Sequence, residues 1–351
     1  MRDVAIISFA QLPSVRRANA SSVELLLPVI QQAVASSGLD RREIGFWVHG
    51  SADYMTGQPF SFVAAVDAIG AWPPVAESHV EMDGAWALYE AWVKIQTGET
   101  DTAMVFANGK SSAGELRRIM ALQLDPYYQA PMMPDSISIA ALQARVMLDR
   151  GLVTEAEMAE VASRSQRDAL ANPNAQIRGD HSVASLLEQP YMSDPLRLHD
   201  CPPVSDSCAA VVIAAGDVAR AHCSRPAWIR SVHHVVDVQN LGWRDLAKCG
   251  SAASAATRAG IHADKIDVAE LHAPFSHQEL LLRSVMGIDP AATTINPSGG
   301  ALVANPMMAA GLIRMGEVAR RIWDGSADRG VAHATSGPAL QQNLVCVLEG
   351  E

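Results

Sequence analysis

The chain has 351 residues, of which 49% are hydrophobic and 19% are charged, and its formal net charge is −11. This length allows two or three domains, or one large duplicated domain, with a sizeable core. The acidic balance argues against nucleic acid and anionic membranes as partners, and no apolar run reaches the 18 residues of a membrane-spanning helix.

The five cysteines are scattered and none forms a CxxC pair, so we expect neither a disulfide framework nor a metal site. The N-terminal stretch MRDVAIISFAQLPS is typical of a strand and a turn, and its apolar core is too short for a signal peptide. A cytoplasmic location is the simplest expectation.

Buried strands alternate with apolar helices along the chain, beginning with a strand predicted over residues 4–10. Two pairs of segments are alike. Residues 37–50 resemble residues 259–272, with Gly38 matching Gly260 at an offset of 222. Residues 95–109 resemble residues 322–336, with Gly98 matching Gly325 at an offset of 227. Two matches in the same order and at nearly the same offset predict an internal duplication.

Each half is predicted to run strand–helix–strand–helix–strand, which indicates an α/β class with helices covering the sheets. Between the halves lies a stretch rich in Met, Pro and Tyr, followed by helices, one of which should begin at a Thr154–Glu157 capping box. We interpret this region as an insertion that covers a cleft. The predicted divisions are a first half over 1–112 plus 200–225, an inserted loop domain over 113–199, and a second half over 226–351.

Four stretches carry a family resemblance, and the last two are the most specific. They are GLVTEAEMAEVASRSQRDALANPNAQIRG (151–179), PVSDSCAAVVIAAGDVA (203–219), VAELHAPFSHQELL (268–281) and INPSGGALVANPMMAAGLIR (295–314). The chain thereby resembles the thiolase superfamily and, within it, the sterol-carrier-protein-x or lipid-transfer-protein branch. The resemblance implies a duplicated five-layered α-β-α-β-α fold with an inserted loop domain. It also implies a dimer and a CoA thioester as substrate, with no further cofactor.

Thiolases attack the thioester with a cysteine at a helix N-terminus, where the helix dipole lowers the thiol pKa. In this chain that position falls on Glu81, followed by Met82 and Asp83. The activating histidine maps to Asn305, and the second cysteine maps to about Ala334. We therefore expect no acyl-cysteine intermediate.

The candidate residues follow from these positions. The candidates for catalysis are His272, Glu81, Asp83, His333 and Asn305, and those for contact with the CoA thioester are Ser298, Gly299, Gly300, Ser336 and Gly337. His272 is the one polar residue that matches the branch's own motif. Helix capping is an alternative role for Glu81, Asp83 and Asn305, and tight turns are the alternative for the glycines.

Three functions fit these observations. The first is retro-aldol cleavage of a β-hydroxyacyl-CoA in lipid or steroid side-chain metabolism, without a cysteine nucleophile. The second is a catalytically inactive subunit that pairs with an active thiolase homologue or with a DUF35/OB-fold partner. The third is a module that binds acyl-CoA or lipid without reaction. The chain is expected to form a homodimer or a heterodimer with a thiolase homologue.

Overall fold

The computed structural model describes residues 1–57 and 59–351. These residues form a large mixed sheet in two halves, with helices between the halves and on their outer faces. The strands of the described residues are β1 (Val4–Gln11), β2 (Phe46–Gly50), β3 (Glu77–Val80), β4 (Thr102–Lys110), β5 (Tyr191–Ser193), β6 (Leu196–Arg197), β7 (Asp206–Ala215), β8 (Ala227–Val236), β9 (Val268–Leu271), β10 (Thr294–Ile295), β11 (Arg329–Ser336) and β12 (Gln342–Glu349).

The α-helices of the same residues are α1 (Ser22–Ser37), α2 (Asp53–Thr56), α3 (Ser61–Ile69), α4 (Gly84–Gln96), α5 (Leu116–Leu122), α6 (Ser136–Asp149), α7 (Glu155–Asp168), α8 (Val183–Leu187), α9 (Gly216–His222), α10 (Gly250–Ala259), α11 (Ser276–Met286) and α12 (Ala310–Trp323). None of them combines the length and the apolar composition that crossing a lipid bilayer requires.

The strand order shows the predicted duplication. The first half is ordered β1-β7-β4-β2-β3 and the second β8-β12-β11-β9-β10, so that each strand of one half has a counterpart in the other. The directions match as well, since β2 runs parallel to β3 and β4, and β9 runs parallel to β10 and β11. The two halves meet through a short antiparallel pairing of β1 with β8, where Ala5 is opposite Trp228.

The three largest apolar cores of the described residues separate five layers of helices and strands. The first core lies between one face of the first half and helices α1 and α3, and the last lies between the second half and helices α10 and α11. The middle core contains α4 and α12 together with inward residues of both halves, such as Val105 and Leu344. The expected α-β-α-β-α arrangement is therefore confirmed.

The two central helices approach each other closely at their N-terminal ends, and glycine makes this possible. A Cβ atom on Gly84 would lie 3.0 Å from Leu312 Cδ2 in α12 and 2.7 Å from the Cβ of Ala107 in β4. One on Gly311 would lie 3.0 Å from the Cβ of Ala85 in α4 and 2.5 Å from that of Ala334 in β11. Real Cβ atoms do not approach this closely, so both positions require glycine. The helix ends are thus brought together in the middle of the molecule, at the same end as the carboxyl ends of β2, β4, β9 and β11.

The segment between the halves is largely helical and packs on the second half. Helix α7 begins at the predicted capping box, in which Thr154 Oγ1 accepts from the amide of Glu157 and the Glu157 carboxylate accepts from the amide of Thr154. Met158 of α7 and Ala144 of α6 lie in the outer core of the second half. The C-terminal end of α7 reaches the 296–300 loop, which is part of the candidate site.

Candidate functional site

Asp83 is the N-cap of α4, as the capping interpretation proposed, but it also serves a second helix. Its Oδ1 accepts a 2.8 Å hydrogen bond from the amide of Ala85 in α4. Its Oδ2 accepts a 2.9 Å hydrogen bond from the amide of Gly311, and Oδ1 accepts a 3.2 Å bond from that of Leu312, both in α12. One carboxylate therefore satisfies free amides at the start of both central helices.

The Asp83 carboxylate is almost fully buried, with 1% of the residue exposed. Burial raises its pKa to about 6, although the hydrogen bonds from Ala85, Gly311 and Leu312 act in the opposite direction. Its oxygen atoms already accept three amide hydrogen bonds. This geometry describes a structural carboxylate, two residues after Glu81, to which the resemblance maps the nucleophile.

Glu81 lies between β3 and α4 and keeps contact with solvent. Its Oε1 accepts a 2.7 Å hydrogen bond from the amide of Asp53, at the start of α2, and its Oε2 lies 3.9 Å from His79 Nε2. The side chain is 53% exposed. Glu81 thus supports α2 rather than α4, and it is the candidate carboxylate that remains accessible.

His272 and Asn305 are brought together by the fold. His272 directly follows β9, and Asn305 precedes α12 by five residues. His272 Nε2 lies 3.0 Å from Asn305 Oδ1, and His272 Nδ1 accepts a 3.4 Å hydrogen bond from the amide of Thr335. Because the amide oxygen can only accept, this pattern assigns the proton to Nε2.

Both residues are buried, and this determines the charge of the histidine. Desolvation lowers the pKa of His272 to about 3, outweighing the hydrogen bond to Asn305, while the nearby His333 and Arg314 lower it further. The ring is therefore neutral near pH 7, with both nitrogens in use. Nδ2 of Asn305 donates to none of the described residues, which leaves one amide donor at the site for a ligand oxygen.

The capping alternative for Asn305 is wrong. Helix α12 begins at Ala310, and Asp83 accepts from the amides of Gly311 and Leu312 in its first turn. The chain between them turns at Met308, which has a left-handed φ of 75° and whose carbonyl accepts from the amide of Gly84. Asn305 is held instead by Ser205, whose hydroxyl accepts a 3.1 Å hydrogen bond from the Asn305 amide.

His333 does not face the same side of the sheet as His272. In β11 it alternates with Ala332 and Ala334, which belong to the middle core, so its side chain faces the outer core. There its Nε2 lies 2.9 Å from Asn343 Oδ1. Burial lowers the pKa of His333 to about 4.

The loop containing Ser298, Gly299 and Gly300 is tied into protein contacts. The Ser298 hydroxyl donates to Glu270 Oε2 at 2.7 Å, and its carbonyl accepts from Asn172 Nδ2 at 2.9 Å. Gly299 has a φ of 93°, and a Cβ there would lie 2.9 Å from the carbonyl oxygen of Ser165 in α7. Gly299 allows this loop to approach the inserted segment, and a role for the loop in binding CoA remains a prediction.

Ser336 and Gly337 lie at the end of β11, beside the Thr335 amide that bonds His272. Gly337 has a φ of 75°, and the next turn residues Ala339 and Leu340 also have positive φ, at 50° and 59°. Two successive non-glycine residues in this conformation are uncommon. The turn therefore stores backbone strain next to the site.

The cysteines have buried or half-buried positions. Cys208 lies in β7 within the outer core of the first half, as expected for a structural residue. Burial raises the pKa of Cys201 and of Cys346 to about 12. Thiols of such high pKa are not ionised near neutral pH and are poor nucleophiles.

A buried ion pair beneath the site was not predicted. Arg314 Nη1 donates to Glu270 Oε2 at 2.9 Å and to the Ser298 hydroxyl at 2.8 Å, and both charged residues are nearly inaccessible. The charged residues fall within motifs that resemble the family, at ELH and GLIR. An acidic and a basic residue, each inside an otherwise apolar segment, could have indicated a buried ion pair.

The chain has relatives among curated proteins, although no protein-family model matches it. It is 24% identical to the acetyl-CoA acetyltransferase of Methanothermobacter thermautotrophicus, over 96% of this chain and 95% of that protein. It is 25% identical to sterol carrier protein 2 of Rattus norvegicus, over 53% of this chain and 39% of that protein. The similarity to these two groups agrees with the resemblance seen in the sequence.

Solved structures show the same fold. The Ltp2-ChsH2(DUF35) aldolase matches with a TM-score of 0.82 and 17% identity, over 99% of this chain and 97% of the other. Human mitochondrial 3-ketoacyl-CoA thiolase matches with a TM-score of 0.79 and 14% identity, over 100% and 99%. The chain therefore has the thiolase fold.

Proposed function

We propose that this chain acts on an acyl-CoA thioester and cleaves a β-hydroxyacyl-CoA by a retro-aldol reaction, in lipid or steroid side-chain metabolism. The observation that carries the proposal is the His272–Asn305 pair. It sits at the carboxyl end of β9, where open α/β sheets commonly bind ligands, and it leaves Asn305 Nδ2 free to donate. The aldolase among the structural neighbours supports the same reaction class.

The chemistry needs a base and an oxyanion donor but no nucleophile. A base removes the proton of the β-hydroxyl group, a carbonyl forms at Cβ, and the bond between Cα and Cβ breaks. The electron pair of that bond passes into the thioester enolate, which takes up a proton at Cα to give the shorter acyl-CoA. Asn305 Nδ2 is suited to stabilise the enolate oxygen, because a buried, preorganised donor is most effective where charge develops.

Of the candidate bases, Glu81 is the one with an accessible side chain. His272 is neutral and has both ring nitrogens engaged, and Asp83 has its oxygens occupied by amides. His333 faces the outer core. Glu81 keeps an accessible carboxylate, so we assign the base to Glu81 and expect Glu81→Gln to abolish turnover without loss of the fold.

A second candidate function is supported by Asp83. Asp83 occupies the N-terminal ends of both central helices, two residues after the mapped nucleophile position, and a non-catalytic subunit of the same fold could carry such a structural carboxylate there. Such a chain would pair with an active homologue or with a DUF35/OB-fold partner, and would contribute one wall of the site. A homodimer fits the first function and a heterodimer the second, and both would be cytoplasmic.

The deciding experiment is to express the chain with its genomic neighbours, identify what co-purifies, and assay the isolated chain and each complex with a steroid-type β-hydroxyacyl-CoA. Release of a carbonyl product and a shorter acyl-CoA by the isolated chain, or by its complex with a small DUF35-type partner, supports the first function, provided that Glu81→Gln removes it. Turnover only with a homologous thiolase-fold chain, insensitive to Glu81→Gln, supports the second. Binding without turnover in every combination contradicts both and leaves a binding module.

A further inference from the structure

The turn between β11 and β12 adopts a conformation that its own sequence disfavours. Ala339 and Leu340 both have left-handed φ values, a conformation in which the Cβ atom of a non-glycine residue clashes with the backbone. Both side chains are buried, Ala339 against Leu124 and Ile139. A strained turn persists only when surrounding contacts hold it, and two sets of such contacts are present.

The first set comes from a single arginine. Arg244 Nη1 donates a 2.9 Å hydrogen bond to the carbonyl of Pro338, and its Nη2 donates to the carbonyl of Ala339. The planar guanidinium presents its donors in a fixed fork, so these two successive carbonyls are held in one relative orientation. The side chain is half-buried beside the turn.

The second set runs from His333 through Asn343. Asn343 Nδ2 donates to the carbonyl of Leu340 at 2.8 Å, and its Oδ1 is fixed by His333 Nε2 at 2.9 Å. Ser251 Oγ donates to the same carbonyl at 3.4 Å. Three successive carbonyls of the turn, at residues 338, 339 and 340, are therefore held by side chains from outside it.

The strained turn is directly continuous with the site. It begins two residues after Thr335, whose amide donates to His272 Nδ1. This bond keeps the imidazole proton on Nε2, from which it is donated to Asn305 Oδ1. If the turn relaxes, the Thr335 amide moves and this tautomer loses its support. We propose that Arg244 is a positioning residue which, together with the His333–Asn343 pair, holds the strained turn so that His272 and Asn305 keep their arrangement.

The effect of losing Arg244 on turnover rests on the proposed function, whereas its effect on the turn conformation does not. Arg244→Gln removes the fork and keeps a polar side chain. We expect amide hydrogen exchange over residues 335–341 to become faster by on the order of tenfold, and the 15N resonances of His272 to shift from those of the Nε2–H form. Arg150→Gln is the matched control, because among the described residues the Arg150 side chain hydrogen-bonds Asp245, next to Arg244, and not the turn.

A second-site substitution makes the test specific. Ala339→Gly removes the strain at one position, so the double variant Arg244→Gln/Ala339→Gly should recover most of the exchange protection and the His272 signals. Unchanged exchange and unchanged His272 signals in Arg244→Gln would overturn the proposal, as would a double variant no better than the single one. If Arg244→Gln does not fold, folding restored by Ala339→Gly supports the proposal and continued failure contradicts it. If no variant shows turnover, and neither does the wild type, while hydrogen exchange changes as expected, the proposed reaction is contradicted. The role of Arg244 in holding the turn is then still supported.

Discussion

Asp83 and Gly311 are 228 residues apart in sequence, yet Asp83 Oδ2 accepts a 2.9 Å hydrogen bond from the amide of Gly311. The same carboxylate caps its own helix through the amide of Ala85. The N-terminal ends of α4 and α12 are thus joined by one side chain in the centre of the protein.

Asp83→Asn should destabilise the protein by about 1–3 kcal/mol at pH 7. The amide has a single acceptor oxygen, so a buried N–H is left without a partner and the new NH₂ group faces other donors. Urea unfolding measures the effect. The matched control is Asp135→Asn at the N-cap of α6, where Asn caps as well as Asp and a change within about 0.5 kcal/mol is expected. Equal effects of the two substitutions would contradict the shared cap.

The contribution of Asp83 should depend on pH in a defined direction. Its pKa is raised from 3.8 to about 6 in the folded protein, so the folded state binds the proton more tightly than the unfolded state. The stability that this adds is fully present below about pH 4 and is lost as the pH rises through 6. The unfolding free energy of the wild type minus that of Asp83→Asn should therefore increase by roughly 2 kcal/mol between pH 7 and pH 4. A difference that falls over this range would disprove the assignment.

Asn305→Asp is a sharp test of the oxyanion donor. The carboxylate keeps an oxygen for His272 Nε2 to donate to, but replaces the free Nδ2 donor with a second acceptor. We expect turnover of the β-hydroxyacyl-CoA to fall by roughly 10²- to 10³-fold. Asn305→Ala removes both functions and serves as the comparison. Turnover retained in Asn305→Asp would show that this amide does not bind the reacting oxygen.

His272 should remain neutral, with its proton on Nε2, between pH 5 and pH 8. Its pKa is about 3 because the ring is buried, and Thr335 and Asn305 together select one tautomer. Two-dimensional 1H–15N spectra of the imidazole report both properties directly. A titration midpoint inside this range, or a signal typical of the Nδ1–H form, would rule out the hydrogen-bond pattern described above.

Gly311→Ala should be strongly destabilising, by about 3 kcal/mol or more. The added methyl group would lie 2.4 Å from Asp83 Oδ1 and 2.5 Å from the Cβ of Ala334, so the packed core must be displaced. Gly250→Ala is the matched control at the start of α10, where the nearest atom is 3.6 Å away. Thermal unfolding of both variants should give a clearly lower Tm for Gly311→Ala only.

Much of the fold could be predicted from the sequence because it rests on local patterns. The strand predicted over 4–10 is observed as Val4–Gln11, and the capping box at Thr154 is present. The duplication was visible because Gly38 and Gly260 end equivalent helices, both with left-handed φ. These features depend on residues within a few positions of one another.

The site was harder to predict because its contacts are long-range. Asp83 was recognised as a cap for the helix that follows it, but nothing local indicated that it also caps α12. Asn305 was interpreted as a possible cap for a helix that in fact starts five residues later. The side of the sheet that His333 faces could not be predicted either. Strand β11 is covered by helices on both faces, so its sequence is apolar on both and does not show which face is which.

The shared cap also restricts how the chain can vary. A substitution at residue 83 alters an end of each repeat simultaneously, so the two copies are no longer free to diverge independently at this point. A protein assembled from the second repeat alone would lack this carboxylate and would need a new residue to accept from the amides at the start of α12.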